Sequence, residues 1–126
     1  MHSPQPRLNP FGCICFSYWS RCIPNCGPAV QQRFKSHMEM FFQAVHQQAS
    51  YRADGTDPDL ETYILMRRET SGCKPVFDLI EYSLDLELPE EVVEHPVILA
   101  LNQSANDLVT WSNVSATSLP FPHSLY

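Results

Sequence analysis

The sequence predicts an all-α chain, and three observations carry that reading. Through the middle of the chain, apolar residues recur at steps of three and four, as along one face of a helix. Prolines 28, 58, 75, 89 and 96 each stand where a periodic stretch opens or restarts. There is no hairpin pattern, and stretches rich in β-branched residues are missing. The result is about five helices with short links and no internal repeat.

Residues 1–26 contain four prolines and four of the five cysteines. The apolar residues there (Phe11, Ile14, Phe16, Tyr18, Trp19, Ile23) keep no period, so this segment reads as irregular, with one turn of helix near 16–21. Gly27-Pro28 opens the first clear helix, near 28–52. Val30, Phe34, Met38, Phe41, Val45 and Ala49 form its apolar stripe, and Arg33 falls largely off it, as a solvated residue would. Asp54-Gly-Thr stops this helix. Asp57 is placed to cap the next, near 58–71, with Pro58 at its first position. Ser71-Gly72 breaks it, and Lys74-Pro75 restarts it near 75–86, where Phe77, Ile80 and Leu84 mark a face. Leu88-Pro89 opens a short acidic helix from Pro89 to Glu94. His95-Pro96 opens the last, near 96–113. After Asn113 periodicity vanishes. The chain thus divides into an irregular segment 1–26, a helical domain 27–113 and a disordered tail 114–126.

A chain of 126 residues holds one domain at most, with a core on the small side for a deep, water-excluding active site. A hydrophobic fraction of 44% argues against wholesale disorder. A net charge of -6 argues against a nucleic-acid or membrane-surface binder, which is usually basic. No apolar run is long enough to span a bilayer, and the N-terminus makes a poor signal peptide. The cysteines therefore read as reduced thiols in a cytoplasmic protein. The spacing of Cys13, Cys15, Cys22 and Cys26 lacks the paired C-x-x-C of zinc sites.

Two segments could carry chemistry. In Tyr63-Ile-Leu-Met-Arg-Arg-Glu-Thr-Ser-Gly-Cys-Lys-Pro75, Arg67 and Arg68 stand at a helix end just before a Gly break. Guanidinium groups bind phosphate oxygens bidentately, although last-turn arginines also simply complement the helix dipole. In Ala105-Asn-Asp-Leu-Val-Thr-Trp-Ser-Asn113, the oxygen-bearing side chains Asn106, Asp107, Thr110 and Asn113 interrupt an apolar helix. Oxygen donors of this kind suit Mg²⁺, and residues four apart share a helical face. Asp78-x-x-Glu81 reads as a solvated acidic face, as do Glu90, Glu91 and Glu94. The histidines form no cluster, and no serine or cysteine has a base partner in sequence.

Both segments resemble those of fungal, basidiomycete-type class I sesquiterpene synthases, in the order that family uses. Phe16-Ser-Tyr-Trp-Ser-Arg21, Gln32-Arg-Phe34, Asp59-Leu-Glu-Thr-Tyr63 and Glu94-His-Pro96 extend the resemblance from Phe16 to Asn113. It implies the helical bundle of the isoprenoid synthase fold and a Mg²⁺-dependent ionisation and cyclisation of farnesyl diphosphate. It implies that Arg67 or Arg68 senses the substrate diphosphate. Arg67 lies one turn beyond Tyr63 and is preferred, while Arg68 stands four residues before Gly72. Gly72 would let a backbone carbonyl point into the pocket. Asn113 would be the first ligand of the second metal motif, with Asn106 and Asp107 as weaker candidates.

The chain departs from the family pattern in two ways. The aspartate-rich motif is absent, and the second motif stops at Asn113, followed by Val114-Ser115. Residues 1–15 also look foreign to the family. The sequence alone thus suggests a truncated gene product, a mis-spliced message or a pseudogene, inactive by itself. The competing reading is a non-catalytic helical domain with Val30, Phe34, Phe41, Phe42 and Val45 partly exposed, which self-associates or binds a partner helix. A cysteine-based module at 13–26 ranks last.

Overall fold

The computed structural model describes residues 10–118, without the side chains of Phe11, Ile23 and residues 115–118. Six α-helices follow in order: α1 (Pro10–Cys22), α2 (Pro28–Asp54), α3 (Leu60–Thr70), α4 (Cys73–Ser83), α5 (Glu90–Val93) and α6 (Pro96–Ser118). A 3-10 turn at Ile23–Asn25 joins the first two, and no strand occurs among the described residues. The all-α class and the proline-marked starts of α2 and α6 are as the sequence predicts.

Several boundaries differ, and α4 runs from Cys73 to Ser83 rather than near 75–86. Residues 10–22 are helical rather than irregular, although the sequence shows no sustained period there. Tertiary contact supplies the reason: the Tyr18 and Trp19 rings lie 5.9 and 6.3 Å from that of Phe34 on α2. Packing rather than intrinsic propensity stabilises most short helices. The cap of α3 is Asp59, not Asp57. The Asp59 carboxylate accepts from the Thr62 N–H and hydroxyl, both at 2.9 Å, and Pro58 stays outside the helix. Helix α6 runs on through Ser118, since neither Gly nor Pro follows Asn113 until Pro120. Of the expected tail, 114–118 are therefore helical, and 119–126 lie outside the described residues.

The core is small. Cys26, Val30 and Phe34 form its centre, with Tyr18, Met38, Leu79 and Tyr82 packed against them. Val30 and Phe34 are therefore buried, not partly exposed, with Tyr18 of α1 and Leu79 and Tyr82 of α4 packed against this core. Phe42 and Val45 are exposed as expected. Burial pushes the Cys26 thiol and the Tyr18 hydroxyl above their ordinary ranges, with Cys22 adding to both.

Two polar rungs tie α2 to α4 and overturn the solvated reading of Arg33, Asp78 and Glu81. Arg33 Nη2 donates to Glu81 Oε1 and Oε2, both at 2.8 Å. One turn along, His37 Nδ1 meets Asp78 Oδ2 at 2.7 Å. Residue numbers rise on α2 as they fall on α4, so the helices are antiparallel. Both carboxylates are buried. Periodicity marks which face of a helix is apolar, but it does not reveal a cation waiting opposite.

Candidate functional site

The break between α3 and α4 is built by Gly72. Its φ of +74° lies in the left-handed region, where a side chain is strained. An added Cβ would meet Phe41 Cε2 only at 3.9 Å, an ordinary contact, so conformation and not space requires glycine here.

Helix α6 crosses this break and is fastened to it. Ser71 Oγ donates to Asn106 Oδ1 at 2.6 Å and accepts from the Cys73 N–H at 3.2 Å. Asn106 Nδ2 donates to the Arg68 carbonyl at 2.9 Å, satisfying an acceptor that the end of a helix leaves without an intrahelical partner. Thr110 Oγ1 donates to Asn106 Oδ1 at 3.2 Å. Asn106 and Thr110 are buried. The Asn106 amide is thus committed to joining two helices.

The arginines diverge. Arg67 stays on its own helix, with Nη1 donating to Thr70 Oγ1 at 3.1 Å, while its buried Nε finds no acceptor among the described residues. Arg68 reaches across to α6. Its Nε and Nη2 donate to Asp107 Oδ1 and Oδ2 at 2.7 and 2.9 Å. This charge-assisted fork holds the Asp107 carboxyl below its ordinary range and raises Arg68 above its own. The Gln103 amide, with its oxygen turned to the guanidinium as its neighbours require, accepts from Nη1 and Nη2 at 2.9 and 3.1 Å.

A cavity of about 1120 Å³ opens between α2, α3, α4, α5 and α6. Met40, Leu65, Phe77 and Ile98 contribute apolar wall, and Arg68, Gln103 and Asn106 lie at one side of it. Arg67, Gly72, Asp107 and Asn113 are not among its lining residues. Asn113 is exposed further along α6.

As a metal site these donors do not suffice. Both Asp107 oxygens serve Arg68, and the Asn106 amide serves the helix break. Among the described residues, no three His, Cys, Asp or Glu side chains gather as a metal would require. Sequence reasoning missed Gln103 and Ser71. The i, i+4 spacing of Gln103 to Asp107 and of Asn106 to Thr110 was the signal that α6 presents a polar seam to another helix.

Comparison with known proteins identifies the family. The model described as terpene synthase family 2, C-terminal metal binding, matches residues 1–115. The chain belongs to terpene synthase family 2. The match reaches upstream of residue 16, so residues 1–15 are within the family region and not foreign to it.

Among curated members of the terpene synthase family, the chain is 61% identical over 107 residues to alpha-muurolene synthase of Coprinopsis cinerea, covering 85% of this chain and 25% of that protein. It is 58% identical over 107 residues to sesquiterpene synthase Agr3 of Cyclocybe aegerita, covering 85% and 30%. To sesquiterpene synthase 1 of Postia placenta it is 54% identical over 112 residues, covering 86% and 33%. The chain spans about a quarter to a third of the length of these relatives. Their kinship and the helical structure agree with the resemblance read from the two motifs. No helix among the described residues is long and apolar enough to cross a membrane.

Proposed function

We propose that this chain is the diphosphate-contacting part of a sesquiterpene cyclase, with farnesyl diphosphate as the substrate of the whole reaction and Mg²⁺ as its metal. The observation that carries the reading is Arg68. It stands four residues before the Gly72 break and lines an apolar-walled cavity, in a chain more than half identical to sesquiterpene synthases. A guanidinium so placed would bind diphosphate oxygens through paired N–H donors. The apolar wall would shelter the hydrocarbon part of a prenyl diphosphate. Asn113 is the residue this chain would offer to a metal. Asn106 and Asp107 act instead as helix fasteners, and the described residues alone do not compose a metal site.

The test is incubation of the chain with farnesyl diphosphate and Mg²⁺, followed by gas chromatography. The chain alone should give no cyclic product, because ionising a diphosphate needs charge neutralisation that these residues do not supply. Joined to the remaining sequence of alpha-muurolene synthase, it should give one, lost on Arg68→Ala. A chimera with full activity after that substitution would refute the reading.

A second reading, a non-catalytic interaction module, is favoured by the exposure of Leu60, Leu84 and Leu108, at 73%, 61% and 72%. Such faces drive self-association when nothing covers them. A monomer at high concentration in analytical ultracentrifugation would remove that reading.

A further inference from the structure

Every cation at the cavity is already paired. Arg33 is held by Glu81 and Glu90, Lys74 by Glu69, Arg68 by Asp107, and His37 lies against Asp78. Among the lining residues, Glu69, Asp78, Glu81, Glu90 and Glu94 outnumber the three Lys and Arg side chains. As it stands, the cavity is electrostatically unfavourable to a multiply charged anion.

Arg68 shows how that could change. A guanidinium has five N–H donors and two edges that can grip an oxyanion bidentately. Asp107 fills the Nε/Nη2 edge, and the Gln103 oxygen fills the Nη1/Nη2 edge. Gln103 is neutral and exposed, so water or an anion can replace it at small cost. Asp107 is different, since it cancels the charge as well as occupying the donors. Displacing Gln103 alone would still leave the guanidinium neutralised from the other side.

We propose that Asp107 is a latch on Arg68, and that a diphosphate grips Arg68 only in competition with this carboxylate. Asp107 is then a positioning residue that sets the affinity of the cavity for diphosphate. The neighbouring bonds from Asn106 to the Arg68 carbonyl and Ser71 keep the backbone of the break in place when the side chain lets go. The latch rests on the reading of Arg68 as the diphosphate contact and adds to it a specific competitor.

The experiment is isothermal titration calorimetry with inorganic diphosphate, without divalent metal, on the wild-type chain, Asp107→Asn, Arg68→Ala and the double variant. Circular dichroism checks helix content in each. Asp107→Asn keeps the shape and removes the charge. It should bind diphosphate about tenfold tighter or more, as expected for loss of one charge-assisted competitor. The gain should vanish in the Arg68→Ala background. Equal or weaker binding by Asp107→Asn overturns the latch, and so does a gain that survives Arg68→Ala. If Arg68→Ala weakens wild-type binding while Asp107→Asn brings no gain, the latch fails and the diphosphate reading of Arg68 stands. If Arg68→Ala changes binding in neither background, the diphosphate reading itself fails. Should Asp107→Asn lose helix, NMR of the wild-type chain decides. The Arg68 Nε and Asp107 Cγ resonances must move at the same diphosphate concentrations, and movement of Arg68 with Asp107 stationary overturns the latch.

Discussion

Arg33 Nη2 sits 2.8 Å from each carboxylate oxygen of Glu81, with the two side chains only 10% and 11% exposed. Glu81 also accepts from the Leu88 N–H at 2.8 Å, so one carboxylate joins α2, α4 and the link to α5. Removing one partner of such a pair strands a buried charge. Arg33→Ala should therefore cost about 3–5 kcal/mol in chemical denaturation. Replacing both by Met should cost much less, because no charge is then left unpaired. Equal losses for the single and double variants would show that packing, not charge, dominates at this site.

The start of α2 depends on a residue 58 positions away. Glu87 Oε1 accepts from the Ala29 N–H at 2.8 Å, placing an anion at a helix N-terminus. Gly27 makes room for it, since a Cβ there would collide with the Glu87 carboxylate. Gly27→Ala should expel the carboxylate and lower stability by about 1 kcal/mol, the worth of a helix cap. In a Glu87→Ala background the same substitution should be close to neutral. A double-mutant cycle with no coupling would mean the two residues act independently.

The cap of α3 has a pH signature. Hydrogen bonds from the backbone and then the side chain of Thr62 hold the Asp59 carboxyl below its ordinary range. The folded value lies below the unfolded one, about 3.9. The contribution is therefore complete above about pH 5 and is lost as pH falls through the unfolded and then the folded value. Asp107 behaves in the same sense through Arg68. Asp59→Asn should flatten the fall in melting temperature between about pH 5 and pH 2, and at neutral pH Asp59→Ala should cost more stability than Asp57→Ala, because Asp59 is the cap. The reverse ranking would return the cap to Asp57.

The two arginines should separate in function. In the chimera with alpha-muurolene synthase, Arg68→Ala should reduce turnover by about 10²–10³-fold, as for removal of one donor to developing charge. Arg67→Ala should reduce it less, since Arg67 bonds to Thr70 on its own helix. Arg52→Ala, at the exposed end of α2, serves as the control. A larger loss at Arg67 than at Arg68 would make Arg67 the inward arginine.

Local signals in the sequence determined a good deal. The stripe from Val30 through Phe34, the prolines at 28 and 96 and Gly55 in its left-handed cap conformation defined helices because each acts within a turn or two of chain. The Arg-Arg to Gly72 and Asn106 to Asn113 motifs carried the family for the same reason. Tertiary structure alone decided what those helices meet. It made α1 a helix by setting Tyr18 and Trp19 on Phe34, and it turned Arg33 and Glu81 from expected solvated residues into a buried pair. It also set Arg68, and not Arg67, at the cavity wall. Periodicity is a property of one helix, whereas an ion pair between helices depends on their relative rotation and height. Only packing fixes those two quantities.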